Sequence, residues 1–95
     1  MKSELEAYRE QVDLVLCCST KADAKPYISK MNFFAAQLCR KADHYTSQKI
    51  QKIADYASLA AGQARDRERH ISNLEQAWYI VESELLARFD EEKNT

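Results

Sequence analysis

The chain has 95 residues, which is the size of one domain, and its 14 basic and 15 acidic side chains nearly cancel. This balance disfavours a general electrostatic affinity for nucleic acid or for an anionic membrane. No segment approaches the roughly 20 apolar residues of a membrane span, and the charged start Met-Lys-Ser-Glu lacks the apolar run of a secretory signal. We therefore expect a single domain over residues 1–95, located in the cytoplasm and without a membrane partner.

The first helix is predicted over about residues 3–19. Ser3 followed by Glu6 forms a capping box, in which each residue satisfies a backbone N–H group at the helix start. Apolar residues then recur at intervals of three and four, which gives the helix one apolar face. That face consists of Leu5, Tyr8, Val12 and Val15.

A second, long helix is predicted over about residues 24–61, with Asp23 as its cap and Pro26 in its first turn. Its apolar positions follow a seven-residue rhythm that shifts near Thr46 and then returns from Ile50 onward. One uninterrupted helix is the favoured interpretation. A break near residues 43–47 is the alternative, because Asp43 and Thr46 are both good helix caps.

The third helix is predicted over about residues 65–90. Gly62, the only glycine of the chain, stands where a left-handed helix end would place it, and Asp66 can cap the next helix. The apolar register nevertheless continues across Gly62, so an interior position in a longer rod is the alternative. The acidic segment 91–95 is expected to fray.

These elements predict an all-α fold, either an antiparallel helical hairpin or a three-helix bundle with a long central helix. Coiled-coil-like packing is expected between the helices, with the tightest contact at the alanines on either side of residue 57. At this chain length a second copy helps to bury apolar surface, and we expect a homodimer.

The sequence indicates neither a metal site nor a cofactor. Three cysteines make an odd number, and Cys17 and Cys18 are neighbours that point about 100° apart on a helix. Cys39 and His44 are five residues apart, so they do not share a helix face well. We expect the cysteines to be small buried apolar side chains.

Three short apolar stretches exceed what a single helix face needs: residues 14–18, 33–36 and 77–81. Aromatic residues within them are of the types that anchor protein interfaces. Ordinary core packing is the competing interpretation. We predict a non-enzymatic protein-binding module, such as a small adaptor, a chaperone or an inhibitor of a larger protein machine, which binds a protein partner through apolar helix faces. The predicted interface residues are Phe33, Phe34, Trp78, Tyr79, Val81 and Leu85.

An alternative function follows from the string Arg65-Asp66-Arg67-Glu68-Arg69-His70. An arginine and a histidine at this spacing, with Asp second, resemble the motif of HEPN-type ribonucleases, which are helical bundles that cleave RNA. The resemblance implies catalytic roles for Arg65 and His70. The interpretation without a catalytic role is a solvated first helical turn in which Asp66 and His70 form a surface pair.

A third interpretation is a helical nucleic-acid-binding protein that uses basic side chains near the middle of the chain. Asp43 and Asp55 are interspersed among those side chains, which favours an ordinary solvated face and makes a nucleic-acid partner unlikely. The basic residues in question are Arg40, Lys41, Lys49 and Lys52.

Overall fold

The computed structural model describes residues 2–62 and 64–93, and the side chains of residues 3–62 and 64–87. Within those residues the fold is all-helical, without a strand, and it contains four helices rather than three. They are α1 (Lys2–Cys17), α2 (Lys21–Lys41), α3 (His44–Ala60) and α4 (Arg67–Lys93).

The four helices alternate in direction around a common core. Lys41, at the end of α2, forms an ion pair of 2.9 Å with Glu4 in the first turn of α1, so α1 and α2 run antiparallel. The hydroxyl of Tyr8 donates to the carbonyl oxygen of Ile50, which sets α3 parallel to α1. Arg67, at the start of α4, donates to the carbonyl oxygen of Leu16 near the end of α1. The chain therefore forms an up-and-down helical bundle.

The expected single helix over residues 24–61 is wrong. Ala42 and Asp43 have extended backbone angles, and the Asp43 carboxylate accepts a hydrogen bond of 2.7 Å from the Thr46 N–H. A helix of that length would span about 57 Å, whereas the longest dimension of the molecule is 46 Å. The alternative break at Asp43 is the one observed, because the aspartate satisfies the first N–H groups of a new helix that folds back along α2.

Gly62 ends a helix, as predicted, and does not lie inside one. Its φ angle is +71°, a left-handed conformation that glycine adopts without steric cost. A Cβ atom at this position would lie 2.7 Å from the backbone nitrogen of Lys21. The turn after α3 is therefore pressed against the start of α2, and only glycine fits there.

Several helix ends differ from the prediction. α1 begins at Lys2, so Ser3 lies within it. α2 begins earlier than expected, because Thr20 rather than Asp23 is the cap and accepts a hydrogen bond of 3.1 Å from the Asp23 N–H. Pro26 consequently lies inside the helix and not in its first turn. α4 extends to Lys93, and the rest of the segment predicted to fray, residues 94 and 95, lies outside the described residues.

The core is formed by one apolar stripe from each helix. All four positions predicted for α1 are buried, and α3 contributes a row of small side chains that face α4. α3 and α4 make the most extensive contact in the bundle, as the thin alanine surface predicts. The central buried residues are Leu5, Tyr8, Val12, Val15, Met31, Ala35, Leu38, Ile50, Ile53, Ala57, Leu74, Val81 and Leu85.

Candidate partner-binding groove

The four helices form a ring in which three neighbouring pairs have closely spaced backbones, whereas the backbones of α1 and α4 lie farther apart and these two helices meet through side chains such as Arg9 and Trp78. The space between α1 and α4 is an open groove of about 490 Å³, which we call the α1/α4 groove. Its apolar lining consists of Leu5, Leu14, Cys17, Trp78 and Leu86. Its polar lining consists of Glu6, Arg9, Glu10, Asp13 and Glu82.

Helical periodicity explains why these side chains share one surface. On α1, residues 6, 10, 13 and 17 recur at intervals of four, three and four, in a row beside the buried stripe. On α4, residues 78, 82 and 86 recur at intervals of four. The two rows face each other because the backbone of α1 near Leu16 is tied to Arg67 at the start of α4.

Trp78 forms the centre of the groove and is held in place at both ends. Its indole N–H donates to the Glu82 carboxylate at 3.0 Å, and its ring lies against Tyr8 with ring centroids 6.1 Å apart. The side chain is only half-buried. The exposed part of this fixed ring can contact a partner without losing much conformational entropy.

Arg9 links the two walls of the groove. Its guanidinium carbon lies 5.1 Å from the centroid of the Trp78 ring, and its Nε donates to Asp13 at 3.0 Å. The Nη2 atom donates to Glu75 on α4. The positive charge of Arg9 is therefore already balanced by two carboxylates within the protein.

The other charged side chains that line the groove among the described residues are negative. Glu6, Glu10 and Glu82 are exposed along its edges together with Asp13, which is paired with Arg9. Because the whole chain has a formal charge of only −1, this acidity is a local property of the groove. The site combines an apolar floor with an acidic rim.

The predicted interface residues do not form one surface. Phe33 and Tyr79 are 61% and 72% exposed, and Phe34 and Trp78 are half-buried. Phe33 and Phe34 contact each other edge to face on α2. Among the described residues, no Cα atom of α2 lies within 8 Å of a Cα atom of α4. Only Trp78 of this set lines the groove.

Val81 and Leu85 were also predicted as interface residues, but both side chains lie in the core, with 0% and 2% of their surface exposed. They belong to the buried stripe of α4, since they lie seven and eleven residues after Leu74. They are not available to a partner of this folded chain.

Arg65 and His70 lie in different environments. Arg65 is exposed in the turn before α4, whereas His70 is partly buried within its first turn. The contacts found between described residues include none that joins these two side chains, and the Nδ1 atom of His70 is buried without a hydrogen-bond partner among them. Arg67, between them in sequence, instead fastens α4 to α1. The ribonuclease alternative stays a prediction.

The cysteines occupy different environments. Cys17 is exposed at the end of the groove, contrary to the expectation of a buried side chain. Cys39 lies between α2 and α3, where its Sγ is 3.5 Å from the carbonyl oxygen of Ser47, and burial raises the pKa of its thiol. Among the described side chains no three His, Cys, Asp or Glu residues are grouped as a metal site would require.

No helix within the described part of the chain is long and apolar enough to cross a membrane. Comparisons with protein-family models, with curated proteins and with solved structures give no match for this chain.

Sequence reasoning found part of this site. The apolar stretches over residues 14–18 and 77–81 contain Leu14, Cys17 and Trp78, all of which line the groove. The acidic rim was missed. Its signal was present in the regular spacing of Glu6, Glu10 and Asp13, but such a row is also typical of an ordinary solvated helix face.

Proposed function

We propose that this chain is a non-enzymatic protein-binding module of the cytoplasm, which receives a segment of another protein in the α1/α4 groove. An adaptor, a chaperone or an inhibitor would each act in this way. The observation that carries the proposal is the open seam between α1 and α4, where a bundle that packs closely at its other seams leaves Trp78, Leu14 and Leu86 partly uncovered.

The dimensions of the groove support a helical segment as the bound element. It extends along α1 from Leu5 to Cys17, which corresponds to about 18 Å, or between three and four helical turns. A helix laid into an apolar groove presents anchor residues at intervals of three and four. A partner helix bound there would fill the gap between α1 and α4.

The proposal is tested by a charge placed on the floor of the groove. Leu14→Glu introduces a carboxylate beside the apolar lining, and Leu59→Glu makes the same change at a leucine that is 50% exposed on α3, outside the groove. Both variants are checked for helix content by circular dichroism. The wild type and both variants are then used as bait in an extract of the native cell, and captured proteins are identified by mass spectrometry.

We expect at least one protein to be captured by the wild type and by Leu59→Glu, and to be lost from Leu14→Glu. Binding of that protein is then measured with purified components, where Leu14→Glu is expected to weaken the affinity by about tenfold or more. Capture that is equal for the two variants, or the absence of any protein that depends on Leu14, would overturn the proposal.

The homodimer predicted from the sequence stays a separate prediction. Phe33 provides the exposed aromatic surface for it, on the α2 face away from the core. Sedimentation equilibrium of the wild type and of Phe33→Ala tests it. A dimer that dissociates in the variant supports the prediction, and a wild type that stays monomeric at high concentration contradicts it.

A further inference from the structure

The chemistry of the groove specifies its partner more closely. From its floor and rim we infer that the α1/α4 groove binds a basic amphipathic helix, with apolar side chains on one face and lysine or arginine on both sides of that face. This inference rests on the proposed function and adds the chemical class of the partner.

The floor of the groove favours a partner helix with an apolar face. Leu14, Trp78 and Leu86 are each partly exposed, and Leu5 closes the base of the groove. A partner side chain that covers these surfaces removes apolar area from water on both molecules. Anchors such as leucine at intervals of three and four match a groove between two helices.

The rim of the groove favours basic side chains on both sides of that face. Among the described side chains, four carboxylates, those of Glu6, Glu10, Asp13 and Glu82, line the groove beside one guanidinium, that of Arg9. Arg9 is already paired with Asp13 and with Glu75, so it offers no unbalanced positive charge to an acidic partner. An acidic helix would meet repulsion along the rim of the groove, and a basic helix would meet attraction there.

A second copy of this chain fits the rim less well. In a two-fold symmetric dimer formed through the groove, each acidic rim would lie opposite the same acidic rim. Like charges across an interface oppose association. We therefore assign the groove to a different protein with the opposite charge.

The test uses two synthetic peptides of about 14 residues, long enough to cover the groove at 1.5 Å per residue. Both carry leucine at the same helical spacing, and their remaining positions are lysine in one peptide and glutamate in the other. Neither contains tryptophan. Because Trp78 is the only tryptophan of the protein, its fluorescence reports directly on the groove.

Two double variants with the same change in net charge serve as test and control. Glu6→Lys with Glu10→Lys reverses the rim, whereas Asp55→Lys with Glu84→Lys reverses two exposed carboxylates that do not line the groove. We expect the basic peptide to bind the wild type and the control at least about tenfold more tightly than the acidic peptide. We expect the rim variant to lose that preference, and the affinity of the wild type to fall as salt rises from about 50 to about 500 mM.

Each other outcome overturns the inference in a recognisable way. Equal binding of both peptides would mean that the groove selects apolar surface without regard to charge. Equal loss of binding in the rim and control variants would assign the effect to overall charge. Self-association of the wild type that is lost in Leu14→Glu would identify the occupant as a second copy. If neither peptide binds while Leu14 still governs capture from the cell extract, the charge inference fails and the proposed function stands.

Discussion

The hydroxyl of Tyr8 is a sensitive test of the packing inside this bundle. The side chain is fully buried, and its hydroxyl donates a hydrogen bond of 2.8 Å to the carbonyl oxygen of Ile50, which joins α1 to α3. Tyr8→Phe removes the oxygen and keeps the ring, so the change isolates this polar contact.

The expected loss of stability at neutral pH is about 1 kcal/mol. A buried hydrogen bond contributes about 0.5–1.5 kcal/mol net, and the Ile50 carbonyl oxygen lies inside α3, where it keeps the hydrogen bond of its own helix when the Tyr8 hydroxyl is removed. The ring itself stays in contact with Trp78, and the cavity left by one oxygen atom is small. The effect is therefore well below the roughly 3–5 kcal/mol of removing a whole aromatic side chain.

The pH dependence of stability gives a second, independent free-energy difference that can be measured. Burial raises the pKa of Tyr8 well above its ordinary value of 10.0. The folded protein keeps the phenol protonated, whereas the unfolded chain ionises it above about pH 10. The contribution of Tyr8 is therefore fully present below pH 10 and decreases as the pH rises. At about pH 11 the wild type should have lost about 1.4 kcal/mol that the phenylalanine variant cannot lose.

Urea unfolding followed by circular dichroism at about pH 7 and about pH 11 measures both effects. Tyr79→Phe is the matched control, because Tyr79 is 72% exposed and its change should stay within about 0.5 kcal/mol of the wild type at both pH values. The advantage of the wild type over Tyr8→Phe should narrow by more than half between the two conditions. A neutral-pH difference no larger than that of the control, or a difference that does not change with pH, would refute this account of the core.

Substitutions at four further positions test other parts of the structure. Gly62→Ala should destabilise the fold by about 1–2 kcal/mol or more in urea unfolding, because alanine is strained at a φ of +71° and its Cβ would meet Lys21. Asp43→Ala should cost about 1 kcal/mol while Asp43→Asn costs less, since only asparagine can still cap α3. Thr46→Val should raise stability by about 1 kcal/mol, because the buried Thr46 hydroxyl has no hydrogen-bond partner among the described residues; a loss of stability would show that the hydroxyl has a partner. His70→Ala should leave any RNA cleavage by the purified protein unchanged, and a loss of cleavage in this variant would favour the ribonuclease alternative.

The helices and their buried faces were largely readable from the sequence. The stripe of α1 is confirmed at all four positions because one apolar row on an otherwise polar helix has only one way to face a core. The error lay at Asp43. The apolar residues of α2 and α3 follow one continuous pattern in the sequence. That pattern is the same for one unbroken helix and for two helices that fold back on each other, because the same positions are buried in both cases. The capping residue Asp43 carried the deciding information.

The candidate site was less predictable because it depends on which helices fail to meet. An apolar surplus around Leu14 and Trp78 could be read locally from the run of neighbouring apolar residues. That α1 and α4 leave a groove between them is a long-range property, set by contacts such as that of Arg67 with Leu16. Val81 was misassigned for the same reason, because a local run does not show which of its members faces the core.

The acidic residues of the groove explain why the bundle does not close by itself. If α1 and α4 approached as closely as α3 and α4 do, Glu6, Glu10 and Glu82 would lose water while facing other carboxylates, which is unfavourable without paired cations. Arg9 provides one such cation and spans the gap at its centre. Among the described side chains, Arg9 is the one cation that lines the groove, and a basic helix from another protein would bring further positive charge together with the missing apolar cover. A gap between two helices is unfavourable for an isolated bundle. Such a gap is thus expected at a binding site where a partner helix completes the packing.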